Sequence, residues 1–170
     1  VLIDTVKSEV ALYLQLIKEL NLHLEYVIDT HTHADHITGA GALREATGAI
    51  TLLGEQANST CVSQPLHHGQ IISFGDLTLQ ALHTPGHTDD SYSFILNNQN
   101  QMYVFTGDTL LIRGSGRTDF QNGDASAQYH SLFSLLLTLP DNTWVYPGHD
   151  YKGWVVSTIA EEKAHNPRLQ

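Results

Sequence analysis

The stretch Leu24-Glu25-Tyr26-Val27-Ile28-Asp29-Thr30-His31-Thr32-His33-Ala34-Asp35-His36 decides how the rest of the chain is read. An apolar run of strand length delivers three imidazoles and a carboxylate within six residues of its C-terminal end. These side chains can face one point only if the backbone leaves the strand and bends there. α/β proteins gather ligands at that end of a strand. Neutral imidazole is the commonest protein ligand for a transition metal, and an added carboxylate makes a mixed N/O set that suits zinc or ferrous iron. No cysteine flanks the cluster, which argues against a structural zinc knuckle.

Three later turns repeat the arrangement: Thr84-Pro85-Gly86-His87, Thr106-Gly107-Asp108 and Tyr146-Pro147-Gly148-His149 each follow a strand-like run. Working outward, residues 1–4 read as a strand. Residues 6–20 read as a helix, because Val6, Val10, Tyr13, Leu14, Ile17 and Leu20 share one helical face. After the strand at 24–30, a helix over 37–46 stops at Gly48, and 49–53 is the next strand. Residues 54–70 are polar and irregular, so His67 and His68 are expected to be loop residues. Hairpins follow at 71–74/77–83, around Gly75-Asp76, and at 92–96/102–105. A loop is expected over 110–120, a helix over 126–139 ended by Pro140, a strand over 143–146 and a terminal helix over 154–165. His83 reads as a strand-end residue, His130 as a helix residue and His165 as solvated.

With 170 residues, 41% of them hydrophobic and 15% charged, the chain fits one globular domain, 1–170, and no apolar run reaches the length of a bilayer span. A net charge of -10 with eight basic residues excludes an extended surface for nucleic acid or for an anionic membrane. Arg113, Arg117 and Lys152 nevertheless lie close in sequence to Asp108 or His149, the pattern of a local positive pocket for a small anionic substrate. Cys61 is the single cysteine, so no intrachain disulfide or cysteine metal site is available, and a reducing compartment is compatible. The chain opens in a strand with no initiator methionine or targeting segment and reads as a fragment whose N-terminal strands are missing.

The ligand order His-x-His-x-Asp-His, His, Asp, His resembles the metallo-β-lactamase superfamily. Within it, the string around Thr30–Gly41, Tyr146-Pro147-Gly148-His149-Asp150-Tyr151 and above all Leu111-Ile112-Arg113 followed by Arg117-Thr118-Asp119-Phe120-Gln121 resemble the persulfide (sulfur) dioxygenases. The resemblance implies an αβ/βα sandwich of two mixed sheets with outer helices. It also implies one Fe(II) per chain, held by His31, His87 and Asp108, with zinc the alternative metal. His33, Asp35, His36, His149 and Thr106 would then support the ligands or hold a second metal. The implied reaction consumes O2 and glutathione persulfide, or another low-molecular-weight thiol persulfide, and yields sulfite and the thiol. Arg117 and Tyr151 match family positions near substrate and metal, and Arg113 is a further candidate for substrate contact. The resemblance is compatible with a homodimer and with a cytoplasmic or mitochondrial-matrix location.

The competing expectation is a dinuclear zinc thioester hydrolase of glyoxalase II type, because all seven of its metal ligands are present. Against it, little sequence follows His149 to form the helical domain that binds glutathione in that enzyme. A third expectation, a sulfur-transfer partner module without catalysis, lacks a rhodanese cysteine loop in this sequence.

Overall fold

In the computed structural model, which describes residues 1–170, the period-two patterning becomes two sheets facing each other. The first sheet has the order β1–β2–β3–β4, formed by Leu2–Ile3, Tyr26–Ile28, Ile50–Gly54 and Gln64–Leu66, all paired in parallel. The second is a six-stranded mixed sheet, β10–β9–β8–β7–β6–β5. Its strands are β5 (Ile71–Phe74), β6 (Leu77–His83), β7 (Tyr92–Asn98), β8 (Gln101–Gly107), β9 (Trp144–Pro147) and β10 (Ser157–Thr158). Only β8 and β9 pair in parallel within it.

Alternation along each strand sorts side chains into three layers. Ile28, Leu52, Leu66, Ile72, Leu79, Tyr92 and Phe94 meet between the sheets. On the outer face of the first sheet, Val27 and Leu24 pack with Ala40 and Leu43 of α2 (Ala40–Thr47), and Val10, Tyr13 and Ile17 of α1 (Val10–Glu19) join them. On the outer face of the second, Val104 and Val145 pack against Leu132, Leu136 and Ile159. Neighbours Val27 and Ile28 therefore face opposite layers, as a half-period shift requires. At about 1.5–3 kcal/mol for each fully buried large apolar side chain, these layers fix the strand ends, and the strand ends carry the polar turns. No helix is long and apolar enough to cross a membrane.

Three departures from the sequence pattern stand out. β4 arises inside the stretch expected to be irregular, and Pro65 explains why it was hidden: a residue without an N–H fits an edge strand, which β4 is. The helix expected over 126–139 is α only over Ala125–His130 (α3), then a π-turn at Ser131–Leu135 and a 3-10 turn at Leu136–Thr138. Its start is set by Asp124, whose side chain accepts from the Ala127 N–H. The terminal helix, α4 (Ile159–His165), begins later than Trp154, because Asp150 Oδ1 captures the N–H groups of Lys152, Gly153 and Trp154 and turns the chain. Thr158 and Glu161 then form a reciprocal capping box.

Candidate metal centre

All four polar turns emerge at one edge of the sandwich. β2 delivers His31, the segment after β6 delivers His87, β8 delivers Asp108 and β9 delivers His149. Ligand atoms of His31, His87 and Asp108 all lie within 4.8 Å of one another. Asp108 Oδ2 stands 3.6 Å from His87 Nε2, and the rings of His31 and His87 meet edge-on with centroids 5.0 Å apart.

Each member of this trio is oriented through its other polar atom. His31 Nδ1 is 2.8 Å from Thr30 Oγ1, whose hydroxyl donates onward to Asp4 at 2.9 Å. With the Thr30 hydrogen so committed, His31 Nδ1–H is the donor and Nε2 keeps its lone pair for a metal. His87 donates from Nδ1 to the Arg117 carbonyl at 2.9 Å, which likewise leaves Nε2 free. Asp108 Oδ1 accepts from His149 Nδ1 at 2.7 Å, which leaves Oδ2. Burial and the neighbouring His33 push the His31 pKa down to about 4, so its imidazole is neutral at ordinary pH. Burial pushes Asp108 up, but the His149 hydrogen bond and the surrounding imidazoles outweigh it, and the carboxyl ends below its usual value. Two imidazole nitrogens and a carboxylate, each held from behind, fit a transition metal.

The second group behaves differently. His33 donates from Nε2 to Asp4 at 3.1 Å, while Asp35 Oδ2 lies 3.0 Å from His36 Nδ1 and 3.1 Å from His149 Nε2. Mainly through its bond to Asp108, His149 is pushed up to about 9. His33 Nδ1 and His36 Nε2 are buried and without a partner. Thr106 sits away from the ligands and closes the turn behind Asp108 by donating to the Leu110 carbonyl at 2.6 Å.

A cavity of about 310 Å³ opens onto the trio and is lined also by Arg117, Phe120, His149 and Tyr151. Tyr151 stacks on His149 with ring planes 6° apart. Arg117 is exposed and forks onto Asp119 through Nε and Nη2 at 2.7 and 3.0 Å. Arg113, expected among the substrate contacts, points elsewhere: its guanidinium pairs with the fully buried Glu162, so its charge is already used. Lys152 is exposed outside this cavity, which leaves Arg117 as the cation of the expected positive pocket.

Two residues of the site escape sequence reasoning. Asp4 anchors Thr30 and His33 from a backbone at φ 53°. Asp90 accepts from Thr32 N at 3.0 Å and from the hydroxyls of Thr32 and Thr88, tying the first ligand turn to the second. Asp4 lies far along the chain from both its partners and Asp90 lies 58 residues from Thr32, with no local signal for either link. In the second turn, Gly86 at φ 143° is obligatory, since a Cβ there would lie 2.3 Å from Gln128 Cα.

This edge-of-sandwich site agrees with the comparisons. The family model described as "Metallo-beta-lactamase superfamily" matches residues 1–56 and 62–149. The crystal structure of ETHE1 from Myxococcus xanthus superposes with a TM-score of 0.92 at 55% identity, covering 98% of this chain and 72% of that one. The chain belongs to the metallo-beta-lactamase superfamily and, within it, to the ETHE1 family. Mouse mitochondrial persulfide dioxygenase ETHE1 is 46% identical over 169 residues, 99% of this chain but 66% of that protein. The chain thus spans just under two thirds of this curated relative. A probable hydroxyacylglutathione hydrolase of Schizosaccharomyces pombe is 38% identical over 135 residues, 79% of this chain and 52% of that protein.

Proposed function

We propose that the chain is the catalytic portion of a persulfide dioxygenase that converts glutathione persulfide, O2 and water to glutathione and sulfite, using one ferrous iron held by His31, His87 and Asp108. The observation that carries this reading is the trio of ligand atoms within 4.8 Å, each aimed by a separate hydrogen bond. Identity of 46% with a persulfide dioxygenase over almost the whole chain supports it. When bound there, ferrous iron supplies affinity for the persulfide sulfur and electron transfer to O2, since a set of two His and one carboxylate leaves open positions.

The residues around the trio bind and orient. Arg117 exchanges Asp119 for a carboxylate of the glutathione moiety, an exchange between exposed partners that costs little. Tyr151 presents its hydroxyl to the same cavity from a ring fixed against His149. Thr30 with Asp4, and the Arg117 carbonyl, occupy Nδ1 of each ligand imidazole and point Nε2 inward.

A second reading has its own observation. The unpartnered nitrogens of His33 and His36 lie beside Asp35, and these three residues form a second group with metal-ligand spacing. Asp35, His36 and His149 with Asp108 would hold a second cation, with His33 joining His31 at the first, the arrangement of a dinuclear zinc thioester hydrolase. Anaerobic purification, metal counting and oxygen-electrode assays separate the two. One iron per chain and O2 uptake dependent on glutathione persulfide are expected. Two zinc ions, hydrolysis of S-lactoylglutathione and no O2 uptake after iron reconstitution would install the hydrolase instead.

A further inference from the structure

We propose that Glu162, on the C-terminal helix and outside the cavity, is a positioning residue for the metal ligands His87 and Asp108, acting through the segment 109–117. The inference rests on the reading of these two residues as ligands.

Glu162 is fully buried, and both of its carboxylate oxygens are occupied. Oε1 accepts from Arg113 Nη1 and from Ser157 Oγ, while Oε2 accepts from the Arg113 backbone N–H at 2.8 Å and from Asn166 Nδ2 at 2.8 Å. Asn166, also fully buried, uses the same amide to reach the carbonyls of Leu111 at 3.3 Å and Gly114 at 3.0 Å. Four of these contacts converge on one tight turn, closed by reciprocal bonds between Leu111 and Gly114. Arg113 occupies that turn at φ 56°, a left-handed conformation that a residue with a side chain adopts at a cost. A charged helix residue gripping a strained turn by its backbone and its side chain is a device for holding that turn still.

The turn leads directly to the ligands. Gly116 N–H donates to the Asp108 carbonyl at 2.8 Å, and Arg117 O accepts from His87 Nδ1 at 2.9 Å. Packing there leaves no slack: a Cβ on Gly116 would lie 2.2 Å from Asp108 O and 2.8 Å from His87 Nδ1. A shift of the 109–117 segment by a few tenths of an ångström therefore moves the acceptor that fixes the His87 tautomer. Outer hydrogen-bond partners of a ligand typically change metal affinity by about 10–100-fold when lost.

The test uses the full chain, freed of metal and titrated anaerobically with Co2+ against a competing chelator, with the visible Co2+ absorption recorded. Glu162→Gln is expected to weaken Co2+ binding about 10–100-fold and to shift or broaden the absorption band. Arg113→Lys keeps a cation for Oε1 and is expected to stay near wild type. Asn166→Ala cuts the same tether without leaving a charge unpaired, expected effect about tenfold, and serves if Glu162→Gln does not fold. Ile72→Val and Ile72→Ala, which lower stability from the core between the sheets, are expected to leave affinity and band unchanged. Wild-type affinity and band in folded Glu162→Gln or Asn166→Ala would overturn the inference, as would an equal loss in the Ile72 variants. If His87→Ala binds Co2+ as well as wild type, the site reading itself fails, an outcome distinct from failure of the tether alone.

Discussion

Two groups of side chains share the mouth of this molecule, and they are built on different terms. In His31, His87 and Asp108 every non-ligating atom is bonded to the scaffold: Thr30, the Arg117 carbonyl and His149. In His33, Asp35 and His36 only His33 is tied back, through Asp4, while Asp35 bridges His36 and His149 with a half-exposed carboxylate and two ring nitrogens have no partner. The first group is oriented before any ligand arrives. The second is a set of compatible residues whose orientation depends on what occupies it. The difference teaches that a list of metal-type residues is weaker information than the hydrogen bonds behind them.

The comparison breaks most visibly at the trio. His31→Ala, His87→Ala and Asp108→Asn are each expected to abolish stoichiometric iron in anaerobically purified protein, and persulfide-dependent O2 uptake with it. Retained iron in any of the three, by elemental analysis, would mean that the oriented group is not the metal site.

Arg117→Ala probes the cavity wall without touching the carbonyl that holds His87. Loss of one charge-assisted contact to a substrate carboxylate is expected to raise KM for glutathione persulfide about 10–100-fold, with iron content unchanged. An unaltered KM together with lost iron would make the side chain a support of the loop, not a substrate contact.

How much of this was legible beforehand follows from where each signal lies. Strand runs ending in His31, His87, Asp108 and His149 are local patterns, and the two hairpins announce themselves by Gly75-Asp76 and by the polar turn before Gln101. β4 was hidden because Pro65 reads as a strand breaker until its edge position is known. Proximity to Asp108 in sequence makes Arg113 a candidate for substrate contact, whereas the partner that holds its charge, Glu162, lies 49 residues away. Asp4 lies 26 residues from Thr30 and 29 from His33, and no periodicity or spacing rule links them. What is bonded within a turn can be read from a sequence; what holds one turn against another cannot.

Thr30→Val sharpens the claim that orientation distinguishes the two groups. Valine keeps the shape of threonine and removes the hydroxyl that links His31 Nδ1 to Asp4. Metal affinity is expected to fall about tenfold, the lower end for a lost outer partner, with the melting temperature little changed. Unchanged affinity by chelator competition would show that burial alone holds His31 in place.

The smallest effect is expected at His36. Its ring pairs with the half-exposed Asp35 and is hydrogen-bonded to the trio only through Asp35 and His149, three bonds in series, while its face packs on His33. His36→Ala removes the first of these, and Asp35 keeps its bond to His149, so Asp108 Oδ1 stays occupied and Oδ2 stays free. Iron content is therefore expected to remain near one per chain, with O2 uptake largely preserved. If a second metal were required, the same substitution would remove one of its ligands outright. Metal stoichiometry would then fall from two toward one, and turnover would collapse. Counting metal in wild type and His36→Ala side by side thus tests whether the loosely bonded group is part of the metal site or only its surroundings.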